Sequence, residues 1–145
     1  MSETRVPVPK LDRTADSADF FDFAARGELL LRRCHTCGAI RGPQAALCSV
    51  CHSAAHDAIA AAGTGTLVSW SLVHRSPVPF IPAPYLAAIV ELDEGPWVLT
   101  RLLTTTHRDS LHVGDPIVIT VIDGVDGGEN VVLARTEPEN TRGRS

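Results

Sequence analysis

Aromatic side chains are scarce in this chain: four Phe, two Trp and one Tyr, 5% of 145 residues. A stacking surface for single-stranded nucleic acid draws on more rings than this. Basic charge is short too, with 13 Lys and Arg against 17 Asp and Glu, a formal net charge of −4 at pH 7. That balance disfavours a nonspecific grip on phosphate backbones, so no nucleic-acid partner is expected. Long apolar runs are missing. The most apolar stretch, 86–90, is closed by Glu91 and is far too short to span a bilayer. Residues 1–10 carry no apolar core of a secretory signal. Gly63-Thr64-Gly65 lacks the lysine and helix of a P-loop and the strand–turn–helix setting of a dinucleotide fingerprint. The length excludes a TIM barrel or a full Rossmann dehydrogenase. What remains is 44% apolar residues. They suffice for one domain, or for a small metal module joined to a modest barrel. The expected setting is cytoplasmic, with reduced cysteines and no membrane contact.

Four cysteines carry the strongest local signal. Cys34 and Cys37 form one C-x2-C pair, Cys48 and Cys51 a second, with ten residues between. Two such knuckles complete a tetrahedral shell of soft thiolates, the ligand set of a structural zinc ribbon. A rubredoxin-like iron site uses the same ligands and stays open as the alternative. A redox C-x-x-C would need a βαβ setting, which the pattern lacks. One zinc per chain is expected, bound by Cys34, Cys37, Cys48 and Cys51, with no open position for catalysis. Gly38 follows Cys37 and accepts the positive φ such turns need. His35 and His52 stand beside ligands and read as surface or supporting residues.

Around this module the chain divides into an extended polar arm (1–17), a short helix and ribbon (18–56), a barrel (57–136) and a polar tail (137–145). Phe20, Phe23 and Ala24 make one apolar stripe of a helix over 18–26, stopped by Gly27. Phe21 lies off that stripe. A strand is predicted over 29–32, while 57–62 has no clear period. Five strands follow, at 66–73, 85–92, 97–103, 116–122 and 131–134. In the first of these, Thr66, Val68, Trp70 and Leu72 share one parity, and Leu67, Ser69, Ser71 and Val73 the other. Four prolines make 76–84 a loop. Glu94-Gly95 and the glycine-rich stretch 123–130 mark turns. Five short strands without crossover helices favour a small antiparallel barrel, of OB or SH3-like topology.

The chain resembles the DUF35 family, OB-fold proteins with a rubredoxin-like zinc ribbon that are associated with acyl-CoA metabolism. The resemblance runs over about 18–135. It rests on Asp19-Phe20-Phe21 with Gly27-Glu28-Leu29, and on Arg33-Cys34-His35-Thr36-Cys37-Gly38 with Pro43 and Cys48-Ser49-Val50-Cys51. It continues in Gly63-Thr64-Gly65-Thr66-Leu67 with Ser69-Trp70 and Val73-His74-Arg75, and in Pro84-Tyr85 with Val90-Glu91-Leu92-Asp93-Glu94-Gly95-Pro96. One departure is Leu133-Ala134-Arg135-Thr136, where the family often carries a Phe-Arg-Pro-like segment. The resemblance implies a mainly β fold: an N-terminal helix and zinc ribbon followed by a five-stranded OB-fold barrel. It implies a non-catalytic accessory subunit in a hetero-oligomer. The implied partner is a thiolase-like protein, a lipid-transfer-protein-type aldolase or a MaoC-like hydratase, with acyl-CoA as a further contact. An autonomous acyl-CoA-processing enzyme and a nucleic-acid-binding ribbon–barrel protein are the alternatives.

Arg26, Arg32, Arg33, His35 and Arg41 cluster around the first knuckle. They suit CoA phosphates or an acidic partner face, or else a rim that offsets the charge of the zinc tetrathiolate. Trp70, His74, Arg75, Phe80 and Tyr85 flank the proline loop. With Arg32, Arg33 and Arg41 they form the candidate acyl-CoA or partner contacts. His74 has no nucleophile or paired acid to place beside it, so no catalytic residue is assigned. Glu91, Asp93 and Glu94 form an acidic turn without metal-box spacing. The Phe20-Phe21-Phe23 helix and the 76–84 loop are the candidate docking elements.

Overall fold

A computed structural model describes residues 7–75, 84–104 and 108–136. The apolar stripe after Ser17 forms helix α1 (Ala18–Ala25). Ala24 is fully buried, Phe20 packs on the main core, and Phe21 meets Phe20 edge-on at 5.2 Å. Gly27 ends the helix at φ +79°. Its N–H donates to the Ala24 carbonyl and that of Glu28 to the Phe23 carbonyl, which closes the last turn.

Three strands follow: β1 (Leu30–Cys34), β2 (Ile40–Arg41) and β3 (His56–Ala60). They form an antiparallel sheet in the order β2-β1-β3. The predicted strand over 29–32 is therefore β1, set one to two residues later. The aperiodic stretch after residue 56 becomes β3, because all five of its residues pair with β1. The expected division at 56/57 thus falls inside a ribbon strand. Pairing partners outside the window decide such a strand, and they leave no periodic mark on its sequence.

The barrel comprises β4 (Thr64–Val73), β5 (Tyr85–Leu92), β6 (Trp97–Leu103), β7 (Pro116–Ile122) and β8 (Val131–Thr136). They close in the order β4-β5-β6-β8-β7. The first strand pairs with the fourth, and the third runs parallel to the fifth. That is the OB arrangement, which resolves the choice against an SH3-like barrel.

β4 corrects the expected alternation. A bulge between Leu67 and Ser69 switches the parity. Leu67 is buried in the barrel with Trp70 and Leu72 packed on the same core, while Ser69 and Ser71 face out. The first strand must curl to pair with both β5 and β7, and the extra residue lets it bend. Gly65 sits where β4 runs tight against β5. A Cβ there would collide with the Glu91 carbonyl.

The main core joins ribbon and barrel. Leu29 and Leu31 share it with Leu67, Leu86, Val90, Leu92, Leu102 and Ile117. A smaller cluster forms outside the barrel, where Val8 packs on Val131 and Leu133. The described part of the arm, from residue 7 on, is held by the chain itself: Arg101 Nη1 donates to the Pro7 carbonyl at 2.6 Å, and the Glu129 N–H donates to the Leu11 carbonyl. Arg13 then bridges Asp22 on α1 and Glu129 in the β7–β8 loop. The 76–84 loop lies outside the described residues except for Pro84, and with it Phe80.

Candidate metal centre

The two knuckles repeat one backbone design. The Gly38 N–H donates to the Cys34 carbonyl, and the His52 N–H to the Cys48 carbonyl. Gly38 has φ +80° and His52, in the equivalent place, +65°. His52 thus holds a conformation that glycine adopts without strain. The Cys34 N–H donates to Ala39 and the Cys48 N–H to Ser53. Each loop is thereby folded back on its first cysteine, and the sulfurs converge.

All four Sγ atoms lie within 4.8 Å of one another. Cys34 to Cys51 and Cys37 to Cys48 are both 3.5 Å. A disulfide needs about 2.05 Å. A tetrahedron with Zn–S bonds of about 2.3 Å has S···S edges of about 3.8 Å, so the donor set fits zinc. Electrostatics point the same way. The N–H groups of Cys37 and Thr36 face Cys34 and draw its thiol down to about 6. Those of Cys51 and Val50 lower Cys48. The Ser53 N–H favours a thiolate at Cys51, but the sulfurs around it push that thiol up to about 12. Cys37 is likewise raised: the Ala39 N–H favours its thiolate, but Cys48, burial and Cys34 together outweigh it. Two thiolates form easily and the next two resist. A divalent cation bound by all four would remove that resistance and supply cross-linking of the two loops, with its coordination shell full.

Arg32 and Arg41 are direct partners across β1 and β2, and both are buried. Arg32 donates from Nε to the Pro43 carbonyl at 2.7 Å and from Nη1 to Asp19 Oδ2 at 2.9 Å. Arg41 donates to the carbonyls of Ala45 and Ala46. His56 stands between them: its Nε2 accepts from Arg32 and its Nδ1 donates to the Ala54 carbonyl. These guanidiniums hold the loop between the knuckles and tie it to α1. They do not form an outward phosphate-facing rim. Arg33 does face outward, 3.9 Å from Asp57, which also accepts from His35 at 2.7 Å. Arg26 stacks on Phe23 at 4.5 Å.

The other candidates fall elsewhere. Trp70 is partly buried against the barrel core. His74 and Arg75 are exposed beyond the end of β4, and Tyr85 starts β5 opposite Val73 with Arg101 over its ring at 5.8 Å. The seven candidate contacts among the described residues are therefore split between the ribbon sheet and the strands and ends of β4 and β5. The acidic turn closes β5: Thr64 donates to Asp93, and Glu94 accepts the Ala62 N–H at 2.6 Å. Sequence reading missed Asp19, His56 and Arg13 as organising residues. Their partners lie 9 to 116 residues away. A groove of about 490 Å³ opens between β6 and the ribbon, bordered by Phe20, Pro43, Trp97 and Leu99.

Residues 21–57 match the family model of the rubredoxin-like zinc ribbon domain of ChsH2, and residues 58–121 that of its C-terminal OB-fold domain. A chain in the solved structure of the "Ltp2-ChsH2(DUF35) aldolase" is 31% identical, with a TM-score of 0.73 over 86% of this chain and 96% of that one. The chain belongs to the DUF35 family. Membership assigns the four cysteines of this DUF35 chain to one structural zinc. Two curated relatives are similar over shorter spans. A protein of Thermomonospora curvata named "Probable enoyl-CoA hydratase alpha subunit" is 35% identical over 113 residues, 78% of this chain and 34% of that protein. A "DUF35 domain-containing scaffold protein" of Methanocaldococcus jannaschii is 32% identical over 79 residues, 53% of this chain and 56% of that protein. The DUF35 chain thus spans about a third of the first and just over half of the second. Among the described residues no helix is long and apolar enough to cross a membrane.

Proposed function

We propose that this DUF35 chain is a non-catalytic accessory subunit of an acyl-CoA enzyme, assembled with a thiolase-like, aldolase or hydratase partner. The observation that carries this reading is the similarity, over 86% of this chain, to a protein solved as part of an Ltp2-ChsH2(DUF35) aldolase. The relatives named as a hydratase subunit and as a scaffold support the same class of role. The local chemistry agrees. Four thiolates fill a tetrahedral shell and leave no position where a metal-bound water or substrate would react. Arg32 and Arg41 are spent on the fold. Acyl-CoA contacts are left to Arg33, and to His74, Arg75 and Tyr85 at the ends of β4 and β5, with Phe80 kept as a candidate from the sequence. The four reduced thiols suit a cytoplasmic setting.

The test compares the purified chain alone with the chain mixed with a thiolase-like, aldolase or hydratase partner encoded beside it. Turnover of acyl-CoA substrates should require the partner, and the two chains should co-purify. Robust turnover by the isolated chain would defeat the accessory role.

A further inference from the structure

The outer face of β5 and β6 carries large apolar groups that stay mostly exposed, beside the groove bordered by Phe20 and Pro43. Trp97 is 60% exposed and Leu99 75%. Antiparallel pairing sets them in three rungs: Glu91 beside Trp97, Ile89 beside Leu99, and Ala87 beside Arg101. The inward residues of β5 are Leu86, Ala88, Val90 and Leu92, all buried. Tyr85, Ala87, Ile89 and Glu91 therefore face out by the alternation of the strand. The first rung ends in an acid and the last in a base. Neither Glu91 nor Arg101 has an oppositely charged partner among the described residues. Arg101 spends one N–H on the Pro7 carbonyl and rests on the Tyr85 ring.

We propose that this face is a self-association surface whose occupant is a second copy of the chain. A two-fold axis along the Ile89–Leu99 rung stacks β5 on β5 and β6 on β6, with strands antiparallel across the interface. Leu99 and Ile89 then meet their own copies. Trp97 lies over Arg101 of the second copy, a cation–π arrangement. Glu91, one strand to the side, reaches that same guanidinium. The symmetry repeats both contacts, so the Glu91–Arg101 pair forms twice in the dimer and each of these charges finds one complement. An apolar centre rimmed by its own opposite charges is what an isologous interface requires. This inference does not depend on the accessory-subunit reading, since a paired subunit can still carry an enzyme partner elsewhere on its surface.

Sedimentation equilibrium of the zinc-loaded full chain tests it. The parent should dimerise reversibly, and more weakly at high salt. Leu99→Asp should weaken association about tenfold or more. Glu91→Arg and Arg101→Glu should each do so by about tenfold through like-charge contacts. An equimolar mixture of those two charge variants should dimerise again, because each mixed pair matches both charges. Far-UV circular dichroism and zinc content confirm folding. Leu99→Asp and Glu91→Arg alter exposed side chains and decide the matter even if Arg101→Glu fails to fold. A parent chain that stays monomeric at every concentration overturns the proposal and leaves this face to a different protein. So does undiminished dimerisation of Leu99→Asp, or a mixture of folded charge variants that stays monomeric.

Discussion

Four sulfurs at tetrahedral spacing repel one another as thiolates, so each ligand depends on the cation and on the N–H groups aimed at it. Cys48, lowered by the N–H groups of Cys51 and Val50, is one of the two that ionise first. Cys48→Ser should reduce zinc from about one per chain to well below half, by elemental analysis, since oxygen is the harder and poorer ligand here. His52 offers the opposite sign. Its φ of +65° suits glycine, so His52→Gly should raise stability by up to about 1 kcal/mol in chemical denaturation. Asp19 adds a pH dependence. The Arg32 guanidinium holds its carboxyl below the ordinary 3.8. A depressed folded pKa gives stability that is present above the unfolded value and lost as pH falls through the folded one. Asp19→Asn should therefore destabilise the chain near neutral pH by about 1 kcal/mol, kept small because the carboxylate is half exposed. The difference from the parent should disappear in acid, read from urea midpoints across the pH range. The ligands were legible in the sequence because two residues of spacing define a knuckle. The burial of Arg32 and Arg41 was not, because it depends on a cross-strand register and on a loop carbonyl eleven residues away.

Elements were legible where the chain punctuates itself. Gly27 stops α1, and β5, β6 and β7 run between the residues predicted for them. β4 was legible as a strand but not as a face, since its bulge reverses the alternation midway. β3 was illegible because the middle strand of the ribbon sheet selects it. The β7–β8 loop shows the same dependence. Asn130 donates to the Ala24 carbonyl at the end of α1, which couples a barrel turn to the helix. Glycines test these close approaches. Gly65→Ala should cost about 1–3 kcal/mol, because the Cβ meets backbone that has no side-chain freedom to yield. Gly42→Ala, with open space and an ordinary φ, should be neutral or stabilise by up to about 1 kcal/mol. Equal losses at the two sites, measured by thermal unfolding, would contradict the claim that β4 is pinned against β5 at Gly65.

At the scale of the whole molecule, ribbon and barrel are two modules by sequence and one by packing. The polar arm lies on the barrel through Val8, and Leu29 and Leu31 of the ribbon side complete a core that the barrel strands enclose. Charge follows the same logic. The net charge of −4 and the inward use of Arg32 and Arg41 leave no basic stripe built from the first knuckle. Titration with single-stranded DNA or RNA at near-physiological salt should show no substantial binding, and strong salt-dependent binding that weakens on changing Arg33 would reverse that view. The shared core also governs what metal removal does. Chelation frees the knuckle loops first, and β2 and the residues between the knuckles lose their frame. Once β1 loosens, Leu29 and Leu31 no longer cover the barrel interior, and Phe20 loses its seat against them. The barrel of the metal-free chain should therefore survive at low denaturant but unfold at a lower midpoint than that of the zinc form, with excess zinc restoring it. The β signal in far-UV circular dichroism reports the barrel, and loss of the thiolate–metal absorption of a cobalt-substituted sample reports the ribbon. An unchanged barrel midpoint after complete metal loss would show that the two modules fold independently and that Leu29 and Leu31 add nothing to the barrel.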